Sequence, residues 1–214
     1  MKKPAFTMLE LVMVIVVLGI LAALAIPRLD RDLKQEAADS ILSDIRYTQH
    51  LALTDNKHRF NQANWQRAFW RITFESCAND SGLFMGIGSD MDRRGDTNRV
   101  EAAIDPVNGK PMFWKNTDSC ANGGDGTVSE RIFLSKKFTV TSISGAGGCN
   151  GVQHIGFDNS GRPHVSFSNS DQPNYASIIT RRCTFNFTLS DGDDFAIHIE
   201  PETGYAFIDG QPSS

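Results

Sequence analysis

No Cys-x-x-Cys pair occurs in the 214 residues, and there is no Gly-x-Ser-x-Gly elbow, phosphate loop or dinucleotide fingerprint. The first absence disfavours a zinc site or a dithiol redox centre. The others remove the commonest marks of a serine hydrolase, a nucleotide triphosphatase or a nicotinamide enzyme. Acidic side chains are plentiful, but no spacing fixes two of them for acid–base work, and the chain reads as a non-enzyme. Positive charge is also short. Lys and Arg number 21 against 25 Asp and Glu, which leaves a net charge of −4, and the pI is about 5.7. A general nucleic-acid binder held by phosphate contacts needs the opposite balance. Long apolar runs are missing everywhere but at the amino terminus, and a mean hydropathy of −0.27 excludes a polytopic membrane protein. With 40% hydrophobic and 21% charged residues, bulk disorder is excluded as well. The length suits one domain of moderate size with an appendage.

The amino terminus is short and basic, Met1 to Ala5, and then turns apolar. From Phe6 to Ile26 the only charge is Glu10. A helix over that stretch rises roughly 30 Å, enough to cross a bilayer core. A secretory signal peptide is the plain alternative. It is opposed by the length of the run and by the burial of Ala23-Leu24-Ala25 inside it, with Pro27 close behind. A simple anchor leaves Glu10 unexplained, because a carboxylate in a membrane helix is costly and needs a partner. Lys2 and Lys3 precede the run while Arg28, Arg31 and Lys34 follow it, so charge does not set an orientation.

The string Phe6-Thr7-Met8-Leu9-Glu10-Leu11 with the apolar run behind it resembles the class III signal of type IV pilins and type II secretion pseudopilins. The resemblance implies cleavage by prepilin peptidase between Ala5 and Phe6 and N-methylation of Phe6. Glu10 and Pro27 stand at the positions typical of that family. The family usually has Gly before the cut, where this chain has Ala5. Phe6 and Glu10 are four apart and share a helix face. In a staggered filament Glu10 would pair with the Phe6 amine of a neighbour and set register; pairing within one chain is the alternative. Pro27 removes a backbone donor and should kink or melt the helix locally, or simply end the anchor. The resemblance further implies a single-pass protein of the bacterial inner membrane, with its head in the periplasm until assembly into a filament. Its partners would be other pilin or pseudopilin subunits, prepilin peptidase, an inner-membrane assembly platform and inner-membrane lipid.

Helical spacing continues after Asp30. Ala37, Ile41, Ile45, Thr48 and Ala52 mark one stripe, with Ala38, Leu42 and Leu53 beside it. The expected helix runs from Phe6 to about Asn56, about 75 Å at 1.5 Å per residue. Strand signals then take over: Trp70, Ile72 and Phe74 alternate, followed by Leu83–Ile87, Lys110–Lys115, Arg131–Ile143, Val152–Phe157 and His164–Phe167. Cys183 to Leu189, Phe195 to Ile199 and Tyr205–Ile208, with turns between them, read as an antiparallel meander. The expected fold class is therefore α+β and pilin-like. A long amino-terminal helix, half transmembrane and half amphipathic, packs on a carboxy-terminal antiparallel sheet. The divisions are a leader at 1–5, a transmembrane or filament-core helix at 6–28, an amphipathic helix at 29–56 and a β-rich head at 57–214. The segment Ile41–Lys57 and the turn Phe157-x-x-x-Gly161-Arg162 are similar to the H-type group of minor pseudopilins. That similarity favours a minor subunit of a pseudopilus or pilus. The alternative function is a tip module that contacts a secreted substrate, a surface or DNA. Arg181-Arg182 is the best basic patch for DNA, yet loss of Lys2 and Lys3 on cleavage makes the chain more acidic still.

Four cysteines, Cys77, Cys120, Cys149 and Cys183, lie far apart, and an even count in an exported domain suggests two disulfides. Three pairings exist; proximity favours Cys77–Cys120 with Cys149–Cys183. Asp90, Asp92, Asp96, Asn98 and Glu101, with Gly95 among them, approximate a twelve-residue calcium loop. Arg94 stands where that loop needs an oxygen ligand, and the other reading is a polar loop neutralised by Arg93, Arg94 and Arg99. Calcium is the only cofactor the sequence suggests. His154 and His164 would face each other across a hairpin, or else sit as ordinary strand histidines.

Overall fold

The computed structural model describes residues 7–214 apart from 79, 81, 121 and 122, and for 22–32 it describes the backbone alone. Helix α1 spans Met8–Thr54. Thr7 starts it with a reciprocal cap: its side chain accepts from the Glu10 backbone, and the Glu10 carboxylate accepts from the Thr7 backbone. The helical assignment passes through Pro27 without a break, so the expected local melting does not occur. The described side chains of α1 form two runs. Met8–Leu21 is apolar and exposed all round, while the second run, from Leu33 on, buries Ala37, Ala38, Ile41, Leu42, Ile45 and Ala52.

Among the described residues eight strands follow, in two antiparallel sheets. β1 (Trp70–Ser76), β2 (Leu83–Ser89), β4 (His154–Phe157) and β5 (Pro163–His164) form the first, in the order β2-β1-β4-β5. β3 (Val140–Gly147), β6 (Cys183–Leu189), β7 (Asp194–Ile199) and β8 (Ala206–Ile208) form the second, in the order β3-β6-β7-β8. A five-residue helix α2 (Leu134–Phe138) leads into β3. Strict alternation produces β6: Cys183, Phe185, Phe187 and Leu189 are buried and the residues between them are not. Phe74 of β1 meets Phe185 and Phe187 edge-on at 5.1 and 5.5 Å and joins the sheets. The packed half of α1 lies against β1 and β4 of one sheet and β7 and β8 of the other. One cluster of buried residues therefore runs from Ile41 and Ile45 through Ile72 and Phe74 to Phe187 and Ile197.

Two disulfides, Cys77–Cys120 and Cys149–Cys183, close this head, with Cα separations of 5.9 and 4.8 Å. The first holds the end of β1 to the long connection behind β2. The second ties the turn after β3 to the start of β6 across an existing pair of strands. Gln49 of α1 fastens two turns at once, donating to the carbonyls of Gly161 and Thr203, each at 2.9 Å. Gly204 has φ +65°, and a Cβ there would meet the Gly161 carbonyl at 2.3 Å. The two turns can approach this closely only because that position is glycine.

The expected fold class needs two corrections. A transmembrane half is not found: no helix among the described residues is long and apolar enough to cross a membrane. The expected inner-membrane, single-pass placement falls with it. The head is also two sheets rather than one. Lys110–Lys115 forms no strand and contributes a single bridge, Ile104 with Pro111. Arg131–Ile143 divides into a short 3-10 turn, α2 and the start of β3. Its apolar residues Ile132, Phe133, Leu134 and Phe138 are buried as a compact helical plug rather than an extended edge.

Candidate functional site

Three places in the molecule carry features beyond packing. The first is the amino-terminal run of α1. Every large apolar side chain from Met8 to Leu21 is at least 50% exposed. Glu10 sits within it, and its Oε2 accepts from the Thr7 backbone N–H and hydroxyl, both at 3.0 Å. Those bonds hold its carboxyl below the usual range. Ala5 and Phe6, and with them the Phe6–Glu10 pairing, lie outside the described residues. Of Pro27 only the backbone is described.

The second is the polar loop after β2. The carboxylates of Asp90, Asp92 and Glu101 converge, with one oxygen of each within 4.8 Å of the others. Asp96 is not among these converging carboxylates. Asp96 lies on the wall of a neighbouring cavity, and Asn98 donates its side-chain amide to Glu101 at 2.5 Å. The loop consumes its own acids. Asp90 accepts from the N–H groups of Arg94 and Gly95 at 3.1 and 2.7 Å. Glu101 accepts from those of Met91, Asp92 and Asn98 at 2.7, 3.0 and 3.0 Å. Burial raises the Asp90 carboxyl above its ordinary value. These bonds explain the acidic spacing as a loop staple: short carboxylates capture backbone N–H groups in turns as readily as they coordinate cations.

Part of the staple's product is the position of the Gly95 carbonyl, which accepts from Arg71 Nη2 at 2.7 Å. Arg71 borders the third place, a cavity of about 530 Å³ over the outer face of the first sheet. Its floor is the side of β1 that carries Arg71, Thr73 and Glu75, opposite the side that packs on α1. Residues 95–97 and 113–117 wall it, and His154 of β4 stands across from Thr73. Sequence reasoning missed this place. The available signal was Arg71 with Glu75, two opposite charges on the same face of one strand.

The histidines separate rather than pair. His164 lies opposite Gly156, not His154. It is buried with Nδ1 2.8 Å from Ser177 Oγ and Nε2 3.4 Å from Asp158. Asp158 organises the turn after β4, accepting from the N–H groups of Ser160 and Arg162 at 2.8 and 3.0 Å. Burial would raise its carboxyl, but the bonds from His164, Arg162 and Ser160 win and hold it at about 2. His154 is kept neutral by burial and by Arg71, its pKa pushed down to about 4. No family model, curated protein or solved structure matches this chain.

Proposed function

We propose that the chain is a pilin-like structural subunit. It is a minor pseudopilin or minor pilin that enters a type II secretion pseudopilus or type IV pilus after prepilin peptidase cuts between Ala5 and Phe6. The observation that supports this most directly is the exposed apolar run Met8–Leu21. A helix apolar on all faces is stable in water only when something covers it. Among the described residues nothing in the chain's own head does so, since the head already has its helical partner in Leu33–Ala52. The occupants in this reading are the equivalent helices of neighbouring pilin-like subunits, stacked side by side in a filament core. One half of α1 then belongs to the head and the other half to the assembly. Such a subunit acts by assembling, with no chemical step of its own.

Glu10 has a defined part in this reading. The capping bonds from Thr7 keep its carboxylate at the start of the helix, and cleavage before Phe6 leaves those bonds intact. The new amine at Phe6 creates a cation one turn away, and the Glu10 of one subunit meets the Phe6 amine of the next. Register follows because a mismatch would leave both charges buried and unpaired. Partners are therefore other pilin-like subunits, the peptidase and the assembly platform.

The mass of the amino-terminal peptide from cells that express prepilin peptidase tests the reading. A peptide that begins at N-methylated Phe6 is expected. An intact Met1, or a cut near Ala25, would overturn it.

A further inference from the structure

Three residues that line the cavity each carry a buried side-chain atom with no hydrogen-bond partner among the described residues: Arg71 Nη1, Trp114 Nε1 and His154 Nε2. Unpaired buried polar groups are rare, and each costs about 1–3 kcal/mol. Among the described residues only six such atoms occur, and three of them belong to residues that line this one cavity. They come from β1, the connection after β2 and β4, so no single local distortion accounts for them.

Each group is also held in place. Arg71 is 4% exposed, and its other terminal nitrogen is fixed on the Gly95 carbonyl. Trp114 packs edge-on against Phe133 at 5.3 Å. His154 packs edge-on against Phe167 at 5.4 Å. Arg and Trp nitrogens only donate, so the complementary group is an oxygen acceptor. The guanidinium favours a carboxylate. The opposite sign is present as well. Glu75 and Asp96 lie on the same wall, and neither forms an ion pair with Arg71. With His154 neutral, Arg71 and Lys115 balance those two acids, so the lining has no net charge. A bare anion would meet Glu75 and Asp96 as repulsion, and a bare cation would meet Arg71. Phe84, Phe113 and the Trp114 ring supply apolar surface. The volume falls in the range of small-molecule sites, about 300–1,000 Å³.

We propose that this cavity binds a small zwitterion of the α-amino-acid class with an apolar side chain. The carboxylate lies against Arg71 and Trp114, the ammonium faces Glu75 and Asp96, and the side chain rests on Phe113. This site is separate from the helix that the filament reading uses, and either can fail without the other.

The test is calorimetric titration of the full-length chain with L-phenylalanine, 3-phenylpropionate and phenethylamine. The last two each keep the ring and lose one charged group. Phenylalanine is expected to bind at least tenfold more tightly than either. Arg71→Met and Glu75→Gln should each weaken phenylalanine tenfold or more. Trp114→Phe, which keeps the ring and removes the N–H, should weaken it about three- to tenfold with circular dichroism unchanged. That variant decides the matter if Arg71→Met fails to fold. No heat with phenylalanine at 10-fold above about 1 mM, a usual scale for weak small-ligand affinity, overturns the proposal. Equal affinity for 3-phenylpropionate, or unchanged affinity in folded Trp114→Phe, overturns it too.

Discussion

Ile15 and Ile45 belong to the same helix, yet Ile15 is 61% exposed and Ile45 is completely buried. The two halves of α1 follow different rules. Leu33–Ala52 has an apolar stripe and a polar back, and its partner is the head of the same chain. Met8–Leu21 has no polar back, and no partner among the described residues covers it. The first kind of helix is stabilised by folding and the second by association. The comparison makes stability and assembly separable by mutation.

The largest expected effect comes from carrying one substitution to both halves. Ile45→Ala should lower unfolding free energy by about 3–4 kcal/mol, the cost of a cavity in a closed core. Ile15→Ala should change it by less than about 0.5 kcal/mol. Urea denaturation of the head, followed by tryptophan fluorescence, measures both. A large loss at Ile15 would mean that the amino-terminal run packs on the head.

Arg131 sharpens the contrast from the head's side. It pairs with Asp44 of α1 and reaches Asp105 at 3.5 Å, and both carboxylates are buried. Burial raises Asp44 to about 6 despite Arg131. Arg131→Met leaves two buried acids without their cation, although Asp105 keeps the Ser129 hydroxyl and the Val107 N–H, and should cost about 3 kcal/mol at pH 7. Part of that loss should return near pH 5, where Asp44 takes up a proton. A loss that does not depend on pH would show that the packing of Arg131 matters more than its charge.

The same carboxylate gives a pH test with a definite sign. Asp44 in the fold is raised to about 6, so it holds a proton that the unfolded chain lacks between roughly pH 4 and 6. Its contribution to stability rises as pH falls through that window. His154 is lowered to about 4, so the unfolded chain holds the extra proton between roughly pH 6.5 and 4. Its contribution falls over nearly the same window. The two largely offset, so the native profile from pH 6.5 to 4 should be shallower than His154 alone would make it, and Glu75 and Asp90, both raised by burial, act on the side of Asp44. Below about pH 4 stability should drop as Asp158, held at about 2, is forced to protonate. Asp44→Asn should uncover the histidine and produce a fall of about 2 kcal/mol between pH 6.5 and 4. Thermal melts at half-unit steps would read it, and a profile unchanged from that of the native chain would remove this assignment.

Local periodicity made much of the head legible, because alternation at Cys183–Leu189 and at Phe195, Ile197 and Ile199 is a property of a few adjacent residues. The disulfides were legible from parity and proximity. The plug at Ile132–Phe138 was not, since a short apolar run is compatible with strand or helix until its neighbours are known. The bilayer reading failed for a different reason. It counted apolar residues along the sequence, whereas no helix among the described residues is long and apolar enough to cross a membrane. The acidic loop was legible as a pattern and ambiguous as chemistry, because Asp90 and Glu101 serve backbone N–H groups with the same oxygens that would serve calcium. Of the cavity only the charged face of β1, Arg71 with Glu75, was legible; Trp114 and His154 join it through strand pairing and a long connection that no local pattern announces.

The smallest effect expected is at Thr7, and it is the most selective. The Thr7 hydroxyl accepts from the Glu10 N–H at 3.3 Å and donates to the Glu10 carboxylate at 3.0 Å. Thr7→Ala removes both bonds and should cost about 1 kcal/mol of helix stability at that end alone. The packed half lies several turns away, so the unfolding midpoint of the head should not move. Hydrogen exchange of the Met8–Leu11 amides should accelerate roughly five-fold, the equilibrium factor that matches 1 kcal/mol. Glu10→Gln keeps an acceptor for the Thr7 N–H and should leave that exchange nearly unchanged, while it removes the charge that the filament reading needs. A subunit that keeps its cap and loses assembly would assign the Glu10 charge to contact between subunits. Equal loss in both variants would assign the residue to the helix start and nothing more.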